Sequence, residues 1–267
     1  MIKVLSFGDR IQPGDCTLHS RFSQAANFSQ SRRLVSVVGP GVGGGPINLV
    51  MGGLDFSGLS RLEIGADSFT LDGAVFTNSP LFDSRLPTSG TRLDMRRCRD
   101  LLLRKAHPKS LAFLLDASRR AESASSFERN LTRHFQAAAQ ELRSGNLEAG
   151  ARAARGAGFG LTPSGDDLLS GYLWGLHVRQ QVCGGNFSAD IERVYGAACG
   201  GNPLSTAFLD CAREGHFFQH LRDLLASEKP EQLETRLDGL LAVGETSGAD
   251  TCVGLILALE KEASLWS

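Results

Sequence analysis

The sequence lacks the features that mark membrane, secreted or nucleic-acid-binding proteins. Its longest uninterrupted apolar run is far too short to span a bilayer, and its first nine residues contain no apolar signal-peptide core. The formal net charge is −1, so the overall charge favours neither nucleic acid nor an anionic membrane as a partner. These absences predict a cytoplasmic globular protein that binds neither.

Several catalytic and metal-binding motifs are missing as well. The six cysteines include no Cys-x-x-Cys pair, and we interpret them as reduced thiols. His216 and His220 stand one helical turn apart, but no acidic or cysteine partner at a matching spacing completes a zinc site. Ser164 follows Thr162-Pro163, which excludes a Gly-x-Ser-x-Gly nucleophile elbow. We therefore predict no metal site from these patterns.

The chain changes character at about residue 90, which predicts an α+β protein. Residues 1–90 alternate short apolar stretches with Gly- and Pro-rich turns, and this pattern favours a β-rich barrel or sandwich. Residues 91–267 show helical periodicity and predict a larger all-helical domain, with the boundary near Pro87–Thr91. Asp72-Gly73 is typical of a hairpin turn. The predicted strands are Val4–Phe7, Cys16–Phe22, Leu34–Val38, Ile47–Met51, Ser68–Leu71 and Ala74–Thr77.

A Gly-rich stretch, Gly39–Pro46, interrupts the β-rich part. It does not match a dinucleotide-binding Gly-x-Gly-x-x-Gly in a strand–helix setting. Two interpretations remain open. The stretch is either a lid over a site or a long connection between the strands Leu34–Val38 and Ile47–Met51.

The pattern Ser-Gly-x-Asp-x-x-x-Gly occurs twice, at Ser164–Gly171 and at Ser247–Gly254. Each serine suits a helix N-cap, and the aspartate three residues later suits an acidic capping box. Capping alone explains both residue types. The glycine one turn into each helix costs roughly 1 kcal/mol relative to alanine, so its presence twice indicates close approach by another backbone or by a ligand. We expect the two serines to lie near one another, beside one site.

A loop with three glycines in five residues, Gly156–Gly160, leads into the first copy. Such a loop, joined to a helix N-terminus, is typical of an anion-binding cradle. The spacing of Gly160 and Gly165 approaches a nucleotide-binding P-loop, but Asp166 stands where that motif has lysine. Asp166 and Asp167 instead offer oxygen ligands for a divalent cation, so Mg²⁺ is the one cofactor that the sequence suggests.

The segment Gly158–Asp167, followed by an apolar helix, resembles the signature of the AllH-like family. That family was long described as a domain of unknown function and is now linked to oxamate carbamoyltransferase as one of its subunits. The later segments Asn202–Ser205, Ala212–Gly215 and Thr246–Thr251 agree with the resemblance. It implies transfer of a carbamoyl group between a nitrogen acceptor such as oxamate and phosphate. In allantoin breakdown, a part of purine catabolism, this reaction releases carbamoyl phosphate from oxalurate.

The motifs and the resemblance together define a set of candidate residues. The expected ligands are a small carboxylate and phosphate, and the expected partners are other subunits of a carbamoyltransferase complex. A Mg-dependent phosphoryl- or nucleotide-handling enzyme and a non-catalytic anion-binding subunit are the alternatives. Candidate catalytic residues are Ser164, Asp166 and Asp167; candidate binding residues are Gly158, Gly160, Thr162, Gly165, Asn202, Ser205, Thr246, Ser247, Gly248 and Asp250.

Overall fold

The chain folds into two compact units, and the predicted α+β class is confirmed. The computed structural model describes residues 1–31, 33–86, 93–120 and 125–262. One unit comprises Met1–Leu86 with His216–Arg222, and the other comprises Pro87–Gly215 with Asp223–Ser267. The predicted boundary near Pro87–Thr91 lies outside the described residues. The short segment His216–Arg222 groups with the sheet, although helical sequence surrounds it.

The first unit contains one nine-stranded sheet that curls into a half-barrel. In chain order the strands are β1 (Lys3–Gly8), β2 (Gly14–Phe22), β3 (Ala25–Gln30), β4 (Arg33–Val38), β5 (Asn48–Gly52), β6 (Arg61–Ile64), β7 (Ser68–Leu71), β8 (Ala74–Thr77) and β9 (Leu81–Phe82). Their order across the sheet is β8-β7-β6-β2-β3-β4-β5-β1-β9. The pairs β4–β5 and β1–β9 are parallel, and the other pairs are antiparallel.

All six predicted strands are present, with ends within two residues of those expected. The sequence missed β3, β6 and β9, because β3 is rich in small and polar residues, β6 has charged residues at two of its four positions and β9 has only two residues. The Asp-Gly hairpin is confirmed between β7 and β8. Asp72 and Gly73 have φ of 45° and 86°, as a two-residue hairpin turn requires.

Large apolar side chains fill the core of the sheet unit. Phe28, Leu49, Met51, Leu62 and Phe69 are almost fully buried within one cluster. They come from β3, β5, β6 and β7, so the curled sheet packs against itself around this cluster. Burial of this apolar surface is the main force that stabilises the unit.

The Gly39–Pro46 stretch is a fixed connection between the parallel strands β4 and β5. Gly44 N–H donates to Oε1 of Gln219 (2.7 Å), and Gln219 N–H donates to Gly44 O (2.8 Å). Residues 43–46 are buried. The connection interpretation therefore holds, and the lid interpretation stays a prediction.

The described residues outside the sheet form nine α-helices. They are α1 (Met95–Lys105), α2 (Ser126–Ser144), α3 (Leu147–Ala154), α4 (Ser164–Cys183), α5 (Ser188–Ala198), α6 (Pro203–Arg213), α7 (Gln219–Leu225), α8 (Pro230–Leu241) and α9 (Ser247–Leu259). Helices α4 and α9 form the central pair of the second unit. Nearly every residue of α9 is buried, which confirms the buried helix expected from its apolar sequence. None of the helices that the structure describes has the length and apolar character needed to cross a membrane.

Candidate functional site

The two repeated motifs open the central helices, but their serines are not the N-caps. Pro163 caps α4 and Thr246 caps α9, neither through a side-chain hydrogen bond, and each serine is the first helical residue. The predicted N-cap role of Ser164 and Ser247 is therefore wrong. At α4 the cause is Pro163, whose carbonyl already accepts the N–H groups of Asp166 and Asp167. By contrast, α2 begins with a complete capping box between Ser125 and Glu128.

The aspartates reach across to the other helix rather than back to their own. The carboxyl of Asp167 on α4 lies beside the Ser247 hydroxyl on α9, and the carboxyl of Asp250 on α9 lies beside the Ser164 hydroxyl on α4. Thr162 Oγ1 and Ser247 Oγ are 3.4 Å apart. The predicted capping box within each motif is wrong, while the predicted proximity of the two helix starts is confirmed. The motif binds one helix to the other.

The glycine one turn into each helix allows the two backbones to touch. A Cβ atom at Gly171 would overlap the carbonyl oxygen of Thr251, and one at Gly254 would overlap that of Leu168. Of the two causes that the sequence allowed, backbone approach is the one observed. The crossing of α4 and α9 is therefore a direct backbone contact.

The glycine that follows each serine packs against the preceding helix. A Cβ atom at Gly165 would overlap the carbonyl oxygen of Ala154 at the end of α3, and one at Gly248 would overlap that of Leu240 in α8. The hairpins α3–α4 and α8–α9 therefore repeat the same local structure. Their loops differ in length, because eleven positions separate Ala154 from Gly165 and eight separate Leu240 from Gly248.

The longer loop carries the predicted glycines. Gly156, Gly158 and Gly160 all have positive φ, at 65°, 106° and 98°. Gly156 N–H donates to Oδ1 of Asp166 (2.7 Å), which fixes the start of the loop. Gly165 N–H donates to Ala157 O (2.9 Å). The loop and helix-start N–H groups of Gly156, Gly165, Asp166 and Asp167 are thus hydrogen-bonded within the protein.

Helix α6 starts beside the same loop. Asn202 caps it as predicted, since its Oδ1 accepts from the N–H groups of Leu204 and Ser205 (3.0 and 3.3 Å). Asn202 Nδ2 donates to Leu161 O (2.6 Å), which ties this helix start to the Gly-rich loop. The hydroxyl of Ser205 is buried and has no hydrogen-bond partner among the described residues.

Burial shifts the acidity of the two crossed carboxyls. Loss of hydration raises the pKa of Asp167 well above its usual range, and the nearby charge of Asp250 adds to this rise, while hydroxyls of Ser247 and Thr162 oppose it. Loss of hydration also raises the pKa of Asp250 to about 6, against the hydrogen bond from Leu111 N–H and the hydroxyls of Ser164 and Thr246. These two carboxyls lie below a layer of partly exposed hydroxyls from Thr162, Ser164, Thr246 and Ser247.

One residue of this site had no sequence signal. Leu111 N–H donates to Oδ1 of Asp250 (2.7 Å) from a short 3₁₀ helix 139 positions away along the chain. Such a backbone donor is set by tertiary packing, so no local motif predicts it. Within the described ranges, no group of three or more His, Cys, Asp or Glu residues has the arrangement of a metal site.

The repeat lies in the part of the chain that resembles a known family. Residues 155–259 match the family model described as oxamate carbamoyltransferase subunit AllH, whereas no solved structure matches the chain. The matched segment includes the whole of α4, α6 and α9 and the Gly-rich loop. The resemblance read from Gly158–Asp167 is confirmed, since residues 155–259 are similar to this family.

Proposed function

We propose that this chain is the part of a carbamoyltransferase that binds a small carboxylate, such as oxamate or oxalurate, with carbamoyl phosphate or phosphate. The observation that carries the proposal is the joint start of α4 and α9, which lies within the AllH-like segment. There the serines and aspartates of two separate motifs meet. A pure helix cap needs no partner motif, so the pairing favours a shared site.

In this reaction the amide nitrogen of oxamate attacks the carbonyl carbon of carbamoyl phosphate. The new C–N bond forms, the C–O bond to phosphate breaks, and the nitrogen gives up a proton to the departing phosphate, so the products are oxalurate and inorganic phosphate. Charge develops on the carbonyl oxygen during the attack, and hydroxyl or N–H donors stabilise it. We assign this contact to Ser164, the partly buried first residue of α4, whose O–H turns from the Asp250 carboxyl to the ligand in this proposal.

The neighbouring acids act as positioning residues in this proposal. Asp166 holds the Gly-rich loop through Gly156 N–H, and Asp167 accepts the Thr162 hydroxyl (3.2 Å). Both carboxyls are therefore already engaged by the protein. Asn202 brings the start of α6 to the same loop, and the buried hydroxyl of Ser205 in the first turn of α6 has no hydrogen-bond partner among the described residues.

Ligand binding to the full chain tests the proposal first. Oxamate, phosphate and carbamoyl phosphate, each at a hundredfold excess over Kd, are expected to stabilise the fold by about 2.7 kcal/mol in a thermal-shift assay. ATP with and without Mg²⁺ forms the second arm. If ATP with Mg²⁺ raises the melting temperature and the carbamoyl compounds do not, a Mg-dependent phosphoryl-transfer enzyme replaces this proposal.

Turnover tests it second, in the complex isolated through a tag on this chain. Ser164→Ala is expected to lower kcat/KM for phosphate release from carbamoyl phosphate and oxamate by about a hundredfold. Ser188→Ala is the matched control, because Ser188 is the first residue of α5 behind a residue that makes no side-chain cap. Equal activity of the two variants contradicts a role for Ser164 in turnover. If the chain binds these ligands but Ser164→Ala keeps its kcat/KM, the result favours a non-catalytic anion-binding subunit.

A further inference from the structure

Asp250 has one carboxylate oxygen that the protein leaves unsatisfied. Its Oδ1 accepts Leu111 N–H (2.7 Å), but its Oδ2 is buried and has no hydrogen-bond partner among the described residues. The residue as a whole is 0 % exposed. A buried carboxylate oxygen without a donor is unfavourable, so its presence is a feature that needs a cause.

The equivalent carboxyl in the other motif has a hydroxyl donor. Asp167 Oδ2 accepts the hydroxyl of Thr162, which precedes the serine of its own helix by two positions. The residue two positions before Ser247 is Glu245, so no hydroxyl stands at that position. The two motifs therefore differ at this position, and the hydroxyls of Thr246 and Ser164 near the Asp250 carboxyl do not hydrogen-bond its Oδ2.

The unsatisfied oxygen lies where the two helix starts meet. Its carboxyl neighbours the hydroxyls of Ser164 and Thr246, which are partly exposed, so it lies one side chain below the surface. A second carboxyl, that of Asp167, is close enough to add to the negative charge. A ligand that presents another anionic oxygen is repelled here, whereas one that presents an N–H group is attracted.

We propose that Oδ2 of Asp250 accepts an N–H of a primary amide or carbamoyl group on a small ligand bound between the starts of α4 and α9. This inference rests on the proposed function and names the part of the ligand that this corner recognises. The ligand class is a small molecule with an amide at one end and an anionic group at the other. Asp250 then discriminates an amide from a carboxylate of the same shape, because a site built for a donor rejects an acceptor.

Oxamate and oxalate test this directly, because they differ only in an amide that replaces a carboxylate. Titration calorimetry on the full chain at pH 7.5 is expected to give at least tenfold tighter binding of oxamate. Asp250→Asn places an amide donor at the carboxyl and is expected to remove or reverse that preference. Asp190→Asn, which changes a first-turn acid of α5, is the control and is expected to keep it.

The possible results separate this inference from the proposed function. Equal affinity of the wild-type chain for oxamate and oxalate overturns the role of Asp250 and leaves the ligand site standing. Binding of neither compound overturns both. The wild-type comparison needs no variant, so it decides the matter even if Asp250→Asn does not fold. A folded Asp250→Asn chain that still prefers oxamate tenfold also overturns the inference.

Discussion

The hairpins α3–α4 and α8–α9 share a backbone plan and differ in their details. In both, glycine lets the second helix touch the preceding one, a serine opens that helix, and an aspartate reaches the serine of the other copy. Only the first copy has the longer Gly-rich loop, and, in the part of the chain that the structure describes, only the second has a buried carboxylate oxygen without a hydrogen-bond donor. The shared features explain how the helices are held, so the differences are the places to look for a ligand.

The largest expected effect comes from filling the helix crossing. Gly171→Ala and Gly254→Ala each drive a Cβ atom into the backbone of the other helix and should each lower the unfolding free energy by about 3 kcal/mol or more. Chemical denaturation measures this. Gly196→Ala in α5 is the control, since nothing lies within 4 Å of the added atom, and it should stabilise the fold by about 1 kcal/mol. If either Gly171→Ala or Gly254→Ala lowers the unfolding free energy only slightly, the two glycines do not play equivalent structural roles.

The next effect concerns pH. The pKa of Asp250 in the fold, about 6, exceeds its ordinary value of 3.8, so the folded state holds the proton more tightly than the unfolded state. Its contribution to stability is therefore greatest in acid and declines as the pH rises through 6. Asp250→Asn lacks this decline, and its unfolding free energy should gain about 2 kcal/mol on the wild type between pH 4.5 and pH 7.5.

Urea denaturation of both proteins across this pH range measures the gain. Asp167 faces Asp250, and the charge of Asp250 adds to the rise in its pKa, so the difference between the two proteins reports Asp250 together with its effect on Asp167. Parallel pH profiles would show that Asp250 has no raised pKa.

Double-mutant cycles test whether each aspartate interacts with the serine of the other helix. Removing Ser164 takes a hydroxyl from Asp250 on the other helix, so Ser164→Ala and Asp250→Asn should show a coupling energy of about 1 kcal/mol. Ser164→Ala and Asp167→Asn, which change one helix, serve as the reference and should be nearly additive. A larger coupling energy within one helix than between the helices would support the capping box that the sequence predicted.

The smallest effect is expected at the tip of the longer loop. Phe159 is 67 % exposed and contacts the ring of Phe127, with centroids 5.8 Å apart. Phe159→Ser should change the unfolding free energy by less than about 0.5 kcal/mol. A loss of several kcal/mol in denaturation would mean that this loop, too, is part of the structural plan common to both copies.

The sequence predicted whole elements better than contacts between them. Period-two patterns found six strands, and the Asp72-Gly73 turn followed from the φ values that these residues tolerate. The same local reasoning assigned Asp167 to its own serine, because spacing along the chain describes one helix at a time. The partner of that carboxyl on α9 and the Leu111 N–H at Asp250 depend on tertiary packing. The motif therefore predicted where the site lies but not which groups hydrogen-bond its carboxyls.

The glycine contacts at the crossing also decide which parts of the site can move. Since backbone touches backbone at Gly171 and Gly254, α4 and α9 cannot slide or swing apart without breaking the centre of the helical unit. The distance between Ser164 and Ser247 is consequently expected to stay constant. Any adjustment to a guest molecule falls to the Gly-rich loop, where three glycines with positive φ give the chain its freedom. Amide hydrogen exchange should accordingly be slowest along the crossing and fastest in that loop.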